Sequence, residues 1–253
     1  MKALVLAAGR GERLRPLTDT TPKPLLELGG RPLIHRVLGL LKRSGISEVA
    51  INVHHLAGRI ESALGDGRTL GLDIIYSPEP VLLGTGAPLI ALRDFFGDEP
   101  FVVANSDTIL DLDLAAMIGF HRGRSVPATI ALYRPSNLDA YSRFEIDREG
   151  RIWRLRLLNG GRLVDYPAEL ALAVDLDPYM FCGVYICAPS VFDYMPRSAP
   201  FSSMGDVFAP MVARGIPLSG FVHRGLFRTI DNLEGLRALE AEVAENPKLL
   251  DSI

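Results

Sequence analysis

Four cations crowd one short stretch near the start of the chain: Arg10, Arg13, Arg15 and Lys23, within MKALVLAAGRGERLRPLTDTTPKPLLELGGRPLI. They follow a run, ALVLA at 3–7, that is apolar throughout and stops at Ala8-Gly9. Guanidinium groups make forked contacts to phosphate oxygens, and an ammonium acts as a compact point charge. Gly9 and Gly11 leave backbone N–H groups open to the close approach of an anion. Pro16, Pro22 and Pro24 stiffen the loop, which lowers the entropic cost of holding the charges in place. The pattern reads as a receptor for a polyanion at the carboxyl edge of a sheet. Its glycine spacing is neither G-x-G-x-x-G nor G-x-x-x-x-G-K-[ST], so it is not a standard dinucleotide or Walker-type loop. The competing reading is a basic loop facing solvent. Its place directly after an apolar strand and its proline density weigh against that.

A second apolar run, VVANSD, ends on Asp107. A carboxylate at the end of a core strand is well placed to hold Mg2+, which takes carboxylate and phosphate oxygens and keeps several waters. The alternative role is a cap on the next helix. Asn105 and Ser106 stand beside it as hydrogen-bonding neighbours, and Asp111 and Asp113 suit the start of a helix, where negative charge is favoured. Leu83-Gly84-Thr85-Gly86 forms a compact turn whose main chain suits recognition of a flat base, or, alternatively, a turn in which Thr85 caps a helix. His54 and His55 follow a strand in a polar turn and are not assigned catalysis. Cys182 and Cys187 read as core residues, and Trp153 as cover for the sheet.

These groups need a scaffold, and the chain supplies strands alternating with helices. Strands are expected at 3–7, 48–53, 72–77 and 100–107, with helices at 32–45, 56–65 and 112–123; such βαβ units build a parallel sheet whose carboxyl edge binds ligands. The second half is richer in strands, at 127–134, 142–158 with a hairpin turn at Arg148-Glu149-Gly150, and 179–187. Three short helical stretches are read from PSVFDYMP, SMGDVFAPMVARG and LEGLRALEAEVAEN, and 160–178 is expected to be an irregular excursion. The fold class is therefore α/β, a Rossmann-like mixed, mainly parallel sheet flanked by helices. The chain, 253 residues long, is expected to form a single domain in two halves, 1–125 and 126–253. With 27 basic and 30 acidic residues the net charge is −3, which leaves no broad cationic surface for nucleic acid. No run reaches membrane-spanning length, and the first has no signal-peptide flank. Two cysteines are too few for a disulfide scaffold or a zinc site, so a reduced cytoplasmic setting is expected.

Together these stretches resemble the sugar-1-phosphate nucleotidylyltransferases. LAAGRGERLRPLTDTTPKPLLELGGRPLI is similar to that family's signature over its full length, and the resemblance continues through LGTGA, NSD, FCGVYICAPSVF and FRTIDNLEGLRAL. It implies the nucleotide-diphospho-sugar transferase fold, with a nucleotide-binding half (1–125) and a sugar-phosphate-binding half (126–253), a nucleoside triphosphate and a sugar-1-phosphate as partners and Mg2+ as cofactor. It implies that Arg13 grips the β and γ phosphates, that Lys23 meets the α-phosphate and the sugar phosphate, and that Asp107 binds the metal. Leu6, Ala7, Ala8, Gly9, Arg10 and Gly11 would surround the nucleotide, with Gly84 and Thr85 on the base side; Asn105 and Gly183 would contact substrate. Two departures matter. The family's E-K-P sugar motif is replaced by LLNGG, and its W-x-D-V-G-T by FRTIDN. Thr229 therefore stands where relatives carry an aspartate, and Asp231, two places on, is the candidate second metal ligand, with a helix cap as its other reading. Two further functions stay open: nucleotidyl transfer to a non-sugar phosphate such as phosphocholine, and a non-catalytic sensor of nucleotide or nucleotide-sugar. Assembly into an oligomer is also left open.

Overall fold

The computed structural model describes residues 1–169, 171, 175–250 and 253. They form two compact units built from separated stretches of chain. The first contains Met1–Leu82, Val103–Leu114 and Gly225–Ile253; the second contains Leu83–Val102 and Ala115–Arg224. The backbone thus passes from one unit to the other several times, and no single cut of the sequence separates them.

In the first unit, β1 (Ala3–Leu6), β2 (Glu48–Val53) and β3 (Asp73–Pro78) pair in parallel, with Ala3 opposite Val49 and Glu48 opposite Asp73. On the other side of β1 lies β4 (Phe101–Asn105), whose last three residues belong to this unit. Ala3, Leu4, Val5, Val49, Ala50 and Ile51 have no exposed surface, as expected of parallel strands covered on both faces. The helix Leu33–Arg43 buries the stripe Leu33, Val37, Leu40 and Leu41 that its spacing predicts, and Gly45, with φ +80°, ends the turn after it. The helix Ala57–Leu64 buries Ile60 and Leu64. Beyond β4, a short antiparallel pair joins Thr108–Leu110 to Phe227–Thr229, so the chain's last stretch returns to this unit before the helix Leu233–Glu245.

The second unit carries β5 (Ala128–Tyr133), β6 (Arg143–Ile146), β7 (Arg151–Asn159), β8 (Arg162–Pro167), β9 (Asp177–Cys187) and β10 (Leu218–Val222). Their order is β8-β7-β10-β5-β9, with β6 pairing both β7 and β9. Only β5 and β10 run parallel here; the other pairs are antiparallel. The fold class is mixed α/β. Its parallel strands lie in the first unit and in that one pair. The hairpin turn expected at 148–150 joins β6 to β7, with Gly150 at φ +82°.

The segment 160–178, expected to be irregular, instead contains β8, paired with β7 in register from Arg154–Pro167 to Asn159–Arg162. Gly160 and Gly161, at φ +55° and +81°, form the two-residue turn that such a hairpin favours. Residues 170 and 172–174 of that segment lie outside the described residues. PSVFDYMP is a 3-10 turn, Pro189–Tyr194, and SMGDVFAPMVARG holds a π-helical turn, Ser203–Phe208, running into the α-helix Ala209–Ala213. Cys182 and Cys187 are buried and unpaired, and burial pushes both thiols well above their usual range. Among the described residues no helix is long and apolar enough to cross a membrane.

Candidate active site

The end of β1 is fixed from behind. The Ala7 N–H donates to Asn52 Oδ1 (2.8 Å), and Asn52 Nδ2 donates to Glu79 Oε1 (2.7 Å). Both side chains are buried on neighbouring parallel strands or directly after them. His54 Nδ1 donates to the Glu79 carbonyl (2.8 Å), which ties the turn after β2 to the same place. A buried polar group left unpaired costs stability, so this chain of contacts holds the β1 terminus in one position. The sequence signal was an asparagine inside the otherwise apolar strand EVAINV.

The cationic loop then folds onto itself. Gly11 sits at φ +63°, and a Cβ there would come 2.8 Å from Thr18 Cγ2. Thr18 is buried, its hydroxyl donates to the Gly11 carbonyl (2.9 Å), and His55 Nε2 donates to the Thr18 carbonyl (2.8 Å). Both histidines are therefore loop fasteners. Beneath the loop, Leu14 and Leu26 pack in an apolar cluster with Ile109, Ile230, Leu236 and Leu239.

The four loop cations divide into two kinds. Arg10 and Arg15 meet acids of their own loop, Glu12 at 4.0 Å and Asp19 at 3.2 Å. Arg13 and Lys23 reach acids distant in sequence: Arg13 Nη2 lies 3.3 Å from Asp231 Oδ1, and Lys23 Nζ forms a close ion pair with Asp107 Oδ2. The Lys23 and Asp107 side chains are only 15% and 22% exposed, whereas Arg13 is 72% exposed. Asp107 does not cap a helix, because the next element is the strand Thr108–Leu110.

Asp231 does not cap a helix either. Asn232 does so, its side chain accepting from the Gly235 N–H (2.8 Å). Thr229, opposite Thr108 in the short antiparallel pair, is part of a strand. Asp231 lies two residues beyond the end of that strand. Arg13, Lys23, Asp107 and Asp231 thus belong to one unit, as do Leu6, Ala7, Ala8, Gly9 and Asn105 around them. Ala7 and Ala8 are buried and Gly9 is exposed. Ser106 is tied back by its N–H to the Leu6 carbonyl (3.2 Å).

The other candidates lie in the second unit. Gly84, at φ +82°, faces the Phe201 backbone, whose carbonyl oxygen would lie 2.4 Å from an added Cβ. Thr85 is not a helix cap: its hydroxyl pairs with Ser203 Oγ (3.1 Å) and accepts from the Ser203 N–H (3.0 Å). Gly183, at φ +89°, sits where the β9 register against β5 shifts. Trp153 covers the turn below β7, donating to Asp147 Oδ2 (2.7 Å) with the Arg151 guanidinium 4.0 Å from its ring centre.

The mixed α/β sheet is that of the nucleotide-diphospho-sugar transferase fold, as the comparisons with known proteins show. Residues 2–227 match the family described as Nucleotidyl transferase, and the chain belongs to that family. It is 35% identical over 231 residues to a UTP–glucose-1-phosphate uridylyltransferase of Synechocystis sp., covering 86% of this chain and 56% of that protein. It is 48% identical over 134 residues to an N-acetylmuramate alpha-1-phosphate uridylyltransferase of Neisseria meningitidis serogroup B, covering 53% of this chain and 57% of that one. The chain thus matches a little over half the length of these two relatives. Among solved structures, HddC from Yersinia pseudotuberculosis complexed with GMP-PN superposes with a TM-score of 0.74 at 20% identity, over 95% of this chain and 98% of that one, a likeness of fold.

Proposed function

We propose that this chain transfers a nucleotidyl group from a nucleoside triphosphate to a sugar-1-phosphate, releasing pyrophosphate. The observation that carries this reading is the pairing of Lys23 with Asp107 and of Arg13 with Asp231 beside the β1 loop. Family membership and the relatives' names support it. Two cations and two carboxylates cancel as a set, so by themselves they offer a polyphosphate little net attraction. Oxygen-only donors of this kind fit Mg2+, which is held by one or two carboxylates together with phosphate oxygens. Asp107 and Asp231 would hold it, and it would supply positive charge to phosphate oxygens when bound.

The chain's own residues do the rest. A sugar phosphate is already an anion at neutral pH, so no strong general base is required. Lys23 exchanges its carboxylate partner for the α-phosphate and the incoming phosphate and holds them in line. Arg13, largely exposed, forks onto the departing pyrophosphate. Positioning and electrostatics carry the reaction. Ala7, held by Asn52, fixes where the loop's backbone stands.

The test is pyrophosphate release with mixed sugar-1-phosphates and nucleoside triphosphates in Mg2+. Lys23→Ala and Asp107→Ala are each expected to lose about a hundredfold or more in turnover, with melting transitions retained, and chelation is expected to abolish the reaction. Near-normal release by either folded variant would overturn the mechanism.

A further inference from the structure

The second unit has a cleft of about 550 Å3 that none of the candidate active-site residues lines. It lies where β5 begins at Ala128, β9 ends at Cys187 and β10 begins at Leu218, with Pro127, Ala188 and Pro217 in its wall. The Ala188 N–H donates to the Pro127 carbonyl (2.9 Å), so rigid strand ends frame it. Its volume is in the range of small-molecule sites.

The lining chemistry is one-sided. Arg122 and Arg124 contribute positive charge, Ser125 and Ser190 contribute hydroxyls, and among the described residues no acidic side chain lines the cleft. Arg214 does not line the cleft; its guanidinium lies 5.9 Å from the ring centre of the lining Tyr194. Arg124 is held in place over the Phe120 ring (4.1 Å) and by donation to the Glu149 carbonyl (2.8 Å). Two carbonyls at the end of the helix Leu114–Arg122 are engaged: Gly119 and His121 accept from the N–H groups of Gly123 (3.1 Å) and Arg124 (3.0 Å). Tyr194, Val126, Ile216 and the prolines give the remaining wall an apolar and partly aromatic character.

We infer that this cleft is a second, non-catalytic site for a phosphate-bearing molecule with a flat, apolar body. Two lining guanidiniums, with no acid among the described lining residues, favour a dianion over a monocarboxylate, and the planar fork suits phosphate oxygens. The ring and proline wall suits a flat group stacked beside them. The inference stands apart from the proposed reaction, since it uses no residue of the active site.

The test is titration of the full-length protein with phenyl phosphate, followed by calorimetry, with benzoate as the carboxylate control. Binding at one site per chain is expected, weakened at least about tenfold by Arg122→Ala, the loss of one charge-assisted contact. Ser125→Trp, which fills the cleft without removing charge, is expected to weaken it as well. Lys23→Ala should leave it intact, and Arg122→Ala should leave turnover with saturating substrates unchanged. Absence of binding at millimolar phenyl phosphate overturns the inference. So does binding lost in Lys23→Ala but kept in Arg122→Ala, which would place the probe in the active site, and so does equal binding of benzoate.

Discussion

Asp231 shows how one position decides a site. Sequence spacing offered it two roles, metal ligand or helix cap, and Asn232 takes the cap. Asp231 is left to face Arg13, 3.3 Å away. Thr229 cannot substitute for it, because pairing with Thr108 fixes it inside a strand. Asp231→Asn is expected to lose about a hundredfold in turnover and to need more Mg2+, and adding Thr229→Asp should not restore activity. Recovery of activity in that double variant, measured as pyrophosphate release against Mg2+ concentration, would return the ligand role to position 229. Arg13, Lys23 and Asp107 stand out in the sequence because their types suit phosphate and metal chemistry next to apolar strands. The partners of Arg13 and Lys23 were not legible, since a carboxylate about 84 or 218 residues away carries no local mark of its destination. Asn52 and Glu79 escaped notice for a related reason. Their role is to hold a backbone amide, and that appears only once β1 and β2 lie side by side.

Elements were legible where hydrophobic periodicity was strong. The strands at 48–53 and 73–78 and the helix at 33–43 fall within a residue or two of expectation. β8 was missed because its residues are largely exposed and show no apolar face, although Asn159-Gly160-Gly161 carried a hairpin signal. β10 was missed because it is short and contains Gly220, where a Cβ would meet Leu132 Cδ1 at 2.4 Å. The helix Leu233–Glu245 lends itself to a pH test. Arg228 forks onto Glu242, with Nε 3.0 Å from Oε2 and Nη2 on Oε1, and this hydrogen bonding holds the Glu242 carboxyl below its usual range against the opposing pull of partial burial. A lowered folded-state pKa stabilises at pH above the unfolded value, about 4.3, and that stabilisation disappears as pH falls through the folded value. Glu242→Gln should therefore be less stable than the parent at pH 7, by no more than about 1 kcal/mol because both partners are 38% exposed. In thermal melts the gap should close toward acid; a gap that widens there would refute the assignment.

At the scale of the molecule, the interleaving of the chain matters most and was the least legible, because no local pattern announces that Gly225–Ile253 returns to the first unit. Ile230, Leu236 and Leu239 pack with Leu14, Leu26 and Ile109 beneath the cationic loop. Removing a buried leucine costs about 2–5 kcal/mol, and several lost together exceed a stability of about 5–15 kcal/mol. A chain ending at Arg224 is expected to lose amide protection across β1 and β2 in hydrogen exchange. Protection equal to that of the full chain would show that the returning segment is dispensable.

The same return path bears on how the protein is made. A ribosome delivers Leu14, Leu26 and Ile109 well before Leu236 and Leu239, so the loop's apolar underside lacks part of its cover until the returning segment emerges. Nascent chains stalled before that segment should therefore be held by chaperones that grip exposed apolar surface.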